Sequence, residues 1–170
     1  MGSEPIDALL DREARRLVAA LAARSATLST AESLTAGMVS SAVAGVPGAS
    51  AVLRGGAVTY VNEVKERVLG VSARSIAEHT EVSHEVAREM AAGSRRLFGS
   101  DVAVSLTGYA GPGGGTEENP VGTVYIGVSS AAGTESFRRT FAGDRAHVRA
   151  EAALAALGLA LARVDSMEMG

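Results

Sequence analysis

The sequence of 170 residues contains no cysteine and no tryptophan, and aromatic residues make up only 4% of it. The absence of cysteine excludes disulfide bonds, metal sites with thiolate ligands and a cysteine nucleophile, which narrows the search for a nucleophile to a hydroxyl group. With so few aromatic rings, a platform for stacking nucleic-acid bases is not expected. A formal net charge of −3 also argues against nucleic acid as a partner, because bulk binding needs a basic surface.

The chain also lacks a long apolar run. No stretch of about 20 apolar residues is free of charge and glycine, so no membrane span is predicted. The first residues, MGSEPIDALLDREARR, carry acids and do not form a signal peptide. We therefore expect a cytoplasmic protein with no membrane partner.

What is present is ordinary for a globular protein, with 46% hydrophobic and 21% charged residues. At about 150 residues per domain, the length predicts one domain. A chain of this mass buries roughly two thirds of its unfolded surface, so it needs no disulfide or structural metal. We expect a single domain over residues 1–170, with its core at about 5–164.

Helical and strand patterns alternate along the chain. The apolar spacing predicts helices at about 5–24, 34–44, 63–69, 73–79, 84–98 and 145–163. Strands are predicted at 27–31, 51–61, 101–107, 121–128 and 134–141, with a bulge at Gly55–Gly56 in the second. Strands separated by helices indicate parallel pairs, and the last two indicate a hairpin. The expected fold is therefore α/β: a three-layer α/β/α sandwich on a mixed, mostly parallel sheet of about five strands.

Three clusters of small residues each follow a predicted strand: Thr30–Gly37, Thr59–Lys65 and Thr107–Gly115. In open α/β sheets, ligands bind at the carboxyl ends of the strands. The three clusters are therefore the candidate binding region.

Ser33 lies at a predicted turn from strand to helix, which allows two interpretations. The first is an N-cap, in which its hydroxyl accepts a hydrogen bond from a free backbone N–H; Asn62, Ser83 and Asp144 are predicted caps of the same kind. The second is a nucleophile beside the free N–H groups of a helix N-terminus, which stabilise an oxyanion. A nucleophilic serine needs a base.

Lys65 is the better candidate for that base, because all three histidines lie in charge-rich helical contexts typical of a surface. In the first turn of a helix the dipole disfavours added positive charge, and burial would lower the lysine pKa further. The alternative is an exposed lysine on a short helix. Tyr60 would bridge Lys65 and Ser33, or be a half-buried strand aromatic.

The glycine-rich loop at 108–115 matches neither the P-loop nor the dinucleotide-binding pattern. It is either a flexible connection or a set of backbone N–H groups approaching an anion. Arg145 and Arg149 would pair with a phosphate or belong to a solvated edge.

Taken together and in order, these motifs resemble the C-terminal domain family of the competence/damage-inducible protein CinA, from about Leu9 to Val164. The segments that carry the resemblance are AESLTAG (31–37), VTYVNEVKERVLGV (58–71), SLTGYAGPGGG (105–115), NPVGTVYIGV (119–128) and FAGDRAHVR (141–149). The resemblance implies a fold like that of anticodon-binding domains, in a stand-alone form. It also implies a nicotinamide-nucleotide amidohydrolase, which converts nicotinamide mononucleotide and water to nicotinate mononucleotide and ammonia.

The family uses a serine and a lysine, with no metal and no cofactor. Residue by residue, the resemblance places the catalytic roles on Ser33, Lys65, Tyr60 and Thr107. The expected substrate-binding residues are Thr35, Ala36, Gly37, Asn62, Gly108, Gly111, Gly113, Gly114 and Arg145. The expected partner is the nucleotide substrate, and the resemblance implies a homo-oligomer, most simply a dimer.

The chain departs from the family pattern at two positions. Ala36 stands where the family usually has glycine, and Tyr109 stands where it often has a small aliphatic residue. A tyrosine there would narrow or reshape the pocket. The alternative function is therefore a catalytically silent module that binds a nucleotide or a partner, and another amide or phosphate-ester hydrolase with the same serine and lysine is a third.

Overall fold

The computed structural model describes residues 4–167. Its helices are α1 (Ile6–Ala23), α2 (Met38–Ala44), α3 (Asn62–Leu69), α4 (Ala73–His79), α5 (His84–Phe98) and α6 (Arg145–Asp165). Its strands are β1 (Leu28–Glu32), β2 (Leu53–Val58), β3 (Val102–Gly108), β4 (Thr123–Ser130) and β5 (Gly133–Thr140). A short 3-10 helix, Ala49–Ala51, precedes β2.

The five strands form one mixed sheet in the order β2-β1-β3-β4-β5. β1 pairs in parallel with both β2 and β3, whereas β3, β4 and β5 are antiparallel. This confirms the predicted mixed sheet and the predicted hairpin, with parallel and antiparallel pairings equal in number. The bulge in β2 lies slightly earlier than predicted: Leu28 pairs with Leu53 and Ser29 with Gly55, so Arg54 is the extra residue.

Helices cover both faces of the sheet, as expected for three layers. The larger apolar side chains of β3, Val102, Val104 and Leu106, join the main core with α1, α2 and α6. The opposite face carries smaller residues and packs against α5. There the Ser105 hydroxyl donates to the Ala87 carbonyl at 2.6 Å, which fixes α5 close to the sheet.

The alanine-rich part of α6 lies in the main core against α1 of the same chain. Ala152, Ala153, Ala156 and Ala160 are fully buried there. The small side chains thus serve packing within this chain. Among the described residues, none of the helices is both long and apolar enough to cross a bilayer.

Two of the four predicted caps are confirmed, because Ser83 accepts from the Val86 N–H and Asp144 from the His147 N–H. The other two are wrong. Asn62 is the first residue of α3, and Val61 occupies the cap position. Ser33 caps no helix, because α2 begins only at Met38 after a turn.

The expectation that all three histidines lie on the surface is wrong for one of them. His84 is half-buried: its Nδ1 lies 2.7 Å from the Ser136 hydroxyl, and its ring meets Tyr125 edge-on. His79 and His147 are exposed, as expected.

Candidate active site

The carboxyl ends of β1, β2 and β3 lie at one edge of the sheet because these strands are parallel. The three clusters that follow them therefore meet, and the N-terminus of α6 lies beside them. They enclose a cleft of about 190 Å³. Eight of the predicted site residues line it: Ser33, Tyr60, Lys65, Thr107, Gly108, Gly111, Gly113 and Arg145.

Five predicted site residues do not line this cleft: Thr35, Ala36, Gly37, Asn62 and Gly114. Tyr109, predicted to narrow or reshape the pocket, lines it as well. Four further lining residues were not predicted: Leu34, Glu81, Val82 and Ala110. Glu81 and Val82 come from the turn before α5, which carries no glycine-rich or serine motif. Nothing in their local sequence marks them as part of a site.

Ser33 and Lys65 meet at the bottom of the cleft. Ser33 continues β1 by donating its N–H to the Leu106 carbonyl at 3.0 Å, which fixes its backbone. Lys65 lies in the first turn of α3, and its Nζ is 3.4 Å from the Ser33 Oγ. The Nζ is also 3.4 Å from the Tyr60 carbonyl oxygen. The two residues are 8% and 1% exposed, respectively.

The surroundings of Lys65 favour its neutral form. Burial lowers the pKa of the lysine, and the negative charge of Glu81 opposes this more weakly. Within residues 4–167, no carboxylate lies close enough to Lys65 to form an ion pair. A neutral amine beside a hydroxyl is the arrangement of a general base and a nucleophile, suited to acyl transfer.

One sequence signal for this lysine needs only counting. Of the 16 basic residues in the chain, Lys65 is the sole lysine and the others are arginines. Arginine stays charged in proteins, whereas burial readily lowers the pKa of lysine. Lys65 is therefore the one side chain among these 16 that is able to act as a neutral amine, and it lies in this cleft.

Glu32 occupies the N-terminus of α2, where the sequence predicted free N–H groups for an oxyanion. Its fully buried carboxylate accepts from the backbone N–H groups of Gly37, Val39 and Ser40 at 3.0, 3.2 and 2.9 Å. These are the donors that a helix N-terminus leaves unpaired. Glu32 therefore occupies the donors at the start of α2, so an oxyanion is left with the N–H groups of the turn that begins the predicted helix at Leu34.

Arg149 stabilises the turn between Ser33 and α2. Its guanidinium donates to the carbonyls of Leu34 and Thr35 at 2.8 and 3.1 Å. Arg149 thus stabilises the segment after the serine and does not line the cleft. Ala36 in this turn is exposed and has φ of 49°, in the left-handed region that favours glycine. The expectation that it lies within a helix is wrong.

Arg145 spans the cleft opening. One terminal nitrogen donates to the Gly111 carbonyl at 2.9 Å and the other to the Tyr60 hydroxyl at 2.8 Å. The Tyr60 side chain, 53% exposed, therefore faces Arg145, and only its backbone carbonyl approaches Lys65. Because Lys65 reaches Ser33 directly, no relay through the tyrosine hydroxyl is needed.

Thr107 connects the end of β3 to the turn before α5. Its hydroxyl donates to the Glu81 carbonyl at 2.7 Å, so its lone donor is used within the protein. Asn119 supports the same turn from the other side, where its Nδ2 lies 3.4 Å from the Val82 carbonyl. These contacts fix the wall of the cleft that carries Glu81 and Val82.

Comparison with known proteins gives consistent matches. A family model described as the CinA C-terminal domain matches residues 10–164. The CinA-like protein of Anaeromyxobacter sp. (strain K) is 52% identical over 143 residues, which cover 84% of this chain and 35% of that protein. The chain thus spans about a third of the length of this curated relative.

Two solved structures share nearly the whole chain. The competence damage-inducible protein A (ComA) from Klebsiella pneumoniae subsp. pneumoniae MGH 78578 is 35% identical, with a TM-score of 0.90, and the match covers 94% of this chain and 99% of that one. The competence/damage inducible protein CihA from Agrobacterium tumefaciens is 33% identical, with a TM-score of 0.89, and the match covers 98% of this chain and 100% of that one. At 35% and 33% identity, these two proteins are similar to this chain in sequence as well as in fold.

Proposed function

Because the chain belongs to the CinA C-terminal domain family, we propose that it hydrolyses the carboxamide of nicotinamide mononucleotide, giving nicotinate mononucleotide and ammonia. The observation that carries this proposal is the buried sole lysine, whose Nζ lies 3.4 Å from the Ser33 Oγ in the cleft. An amide is hydrolysed by such a pair without a metal or a cofactor.

In the first step, the neutral Lys65 amine takes the proton of the Ser33 hydroxyl, and Oγ attacks the carboxamide carbon. The protonated amine then gives this proton to the amide nitrogen, the C–N bond breaks and ammonia leaves. In the second step, water attacks the acyl-enzyme ester and its proton passes to Lys65. That proton returns to Ser33 Oγ as the acid is released.

The oxyanion of each tetrahedral intermediate needs a donor other than the α2 N-terminus. Leu34 follows the nucleophile and lines the cleft, and its backbone N–H has no acceptor within residues 4–167. We assign the oxyanion to this N–H. A single donor of this kind typically contributes about 3–4 kcal/mol to transition-state stabilisation.

The substrate phosphate would lie at the cleft opening, beside Arg145 and the glycine-rich loop. The guanidinium has five N–H donors, and the structure uses two of them on Gly111 and Tyr60. Donors therefore remain for an anion. Gly113 has no neighbouring heavy atom within 4 Å of where a side chain would begin, so its backbone is accessible to a ligand.

The test is ammonia release from nicotinamide mononucleotide by the wild type, Ser33→Ala and Lys65→Arg. Both variants should lose at least about 10³-fold in kcat, because arginine keeps its proton and alanine has no nucleophile. Ser41→Ala is the matched control, since this exposed serine on α2 lies outside the cleft. Wild-type rates in both site variants would disprove this active site.

Tyr109 favours a second candidate function, a module that binds the nucleotide without turnover, because its side chain lines the cleft. Saturable binding with no ammonia release at any pH would support that candidate.

A homodimer is also proposed, on the family resemblance alone, and light scattering after size exclusion tests it.

A further inference from the structure

Glu81 is the one carboxylate among the residues that line the cleft in the described part of the chain. Its side chain is half-buried, and its carboxylate accepts no hydrogen bond and forms no ion pair within residues 4–167. An unpaired carboxylate in a partly desolvated cleft is costly without a positively charged partner. The proposed hydrolysis does not use this group.

The backbone around Glu81 is held in place from several sides. The Thr107 hydroxyl donates to the Glu81 carbonyl at 2.7 Å, and the Ser83 hydroxyl donates to the Thr80 carbonyl at 2.9 Å. Thr80 has φ of 65° and ψ of 166°, a backbone conformation that is otherwise adopted almost exclusively by glycine. Such strain persists where the surrounding structure determines it, and it is common at functional sites.

Tyr109 forms the wall next to this carboxylate. Its half-buried ring packs against the cluster of Val82, Ala87 and Tyr125, so it has a fixed support. Burial raises the pKa of Tyr109, and the negative charge of Glu81 raises it further, which places the two groups in the same electrostatic environment. The phenol stays neutral, and Tyr109 lines the cleft together with Glu81.

We propose that Glu81 and Tyr109 form a subsite for a cationic aromatic ring and select pyridinium nucleotides over analogues with an uncharged ring. This inference rests on the proposed function. The ring of nicotinamide mononucleotide carries a permanent positive charge, whereas the reduced dihydropyridine ring of the same nucleotide carries none. An aromatic face and a carboxylate are the two groups that attract such a cation.

The charges in the cleft agree with this assignment. Burial lowers the pKa of Lys65, which weakens its repulsion of a cationic ring whose carboxamide would lie at Ser33, 3.4 Å from the amine. Arg145 lies at the opening, hydrogen-bonded to Tyr60, and is available to the phosphate. A ligand with a positive ring and a negative phosphate therefore meets complementary charge at both ends.

The test measures binding by calorimetric titration in the Ser33→Ala background, which prevents turnover. The two ligands are oxidised and reduced nicotinamide mononucleotide, which share their phosphate and carboxamide. Adding Glu81→Gln should weaken binding of the oxidised nucleotide about tenfold, equivalent to about 1.4 kcal/mol. Binding of the reduced nucleotide should weaken less than about twofold. Tyr109→Leu should show the same selective loss, and Tyr109→Phe should not.

The matched control is Glu78→Gln, because Glu78 is a carboxylate on α4 outside the cleft. Equal weakening of both nucleotides by Glu81→Gln, or no weakening of either, would overturn the subsite. Failure of the proposed function has a different signature: the wild type releases no ammonia from oxidised nicotinamide mononucleotide. The subsite would still be supported in that case if Glu81→Gln removed the preference for the cationic ring.

Discussion

Lys65 has an amine whose proton the surrounding cleft makes easier to remove. The side chain is 1% exposed, and burial disfavours its charged form. Its accepting neighbours are the Ser33 hydroxyl and the Tyr60 carbonyl, both neutral groups. The residue types alone left open whether this lysine is exposed or acts as a base, and its burial favours the second interpretation.

We predict that the pKa of Lys65 lies below its ordinary value of 10.5. The kcat/KM for ammonia release should rise as the pH passes through this lowered pKa. Activity should increase as the amine loses its proton, because only the neutral amine accepts a proton from serine. Since the chain has one lysine, protein labelled with ¹³C-lysine gives a single side-chain signal to follow by NMR.

The control for this titration is Glu81→Gln. The Glu81 charge raises the pKa of Lys65, so its removal should lower that pKa further. Titration of Lys65 at or above 10.5 would contradict the prediction, as would a pKa that rises in the variant.

The turn that joins β1 to α2 is the element in which sequence and structure differ most. Ser33 directly precedes the predicted helix at 34–44 and looked like its cap, because small polar residues precede helices. The cap role belongs instead to the carboxylate of Glu32, which reaches past the turn to three N–H groups of α2. A side chain that caps a helix beginning six residues after it matches no local pattern, so spacing rules do not reveal it.

We predict that Ala36→Gly stabilises the protein by about 0.5–1 kcal/mol. The left-handed conformation costs a non-glycine residue roughly 1–2 kcal/mol, and the greater freedom of glycine in the unfolded chain offsets part of the gain. The φ of 49° at Ala36 is the reason for expecting a net benefit. Urea denaturation of the two proteins measures the difference in the free energy of unfolding.

Ala36→Val is the comparison variant for this position. A β-branched residue is disfavoured further at positive φ, so it should lower the free energy of unfolding by about 1 kcal/mol. A glycine variant less stable than the wild type would show that the turn does not carry this strain.

At the scale of the whole molecule, the architecture could be predicted because alternating apolar patterns identify buried strands and helices. The same rules predicted that three motifs lie at one edge of the sheet, because the carboxyl ends of parallel strands lie at the same edge. They did not find Glu81, because it reaches the cleft through the packing of α5 on the sheet, which depends on contacts far apart in sequence.

That packing depends on small residues where α5 crosses the sheet. A side chain at Gly127 would begin 2.2 Å from the Ala87 carbonyl oxygen and 2.6 Å from the Ser105 hydroxyl. We predict that Gly127→Ala lowers the free energy of unfolding by about 1–3 kcal/mol, the usual range for overpacking. Urea denaturation measures it, with Gly113→Ala as the control because no heavy atom lies within 4 Å there. Equal stability of the two variants would show that α5 moves freely to make room.

The buried lysine links folding to proton release. Its pKa is lower in the folded chain than in the unfolded one, so folding expels a proton between the two values. Through this group, the free energy of unfolding rises as pH rises from the folded pKa to the ordinary one, and it is lowest below both. This is opposite to the effect of an ion-paired lysine. The amine proposed for catalysis therefore lowers the free energy of unfolding at neutral pH. Lys65→Met removes this destabilisation together with the proposed activity.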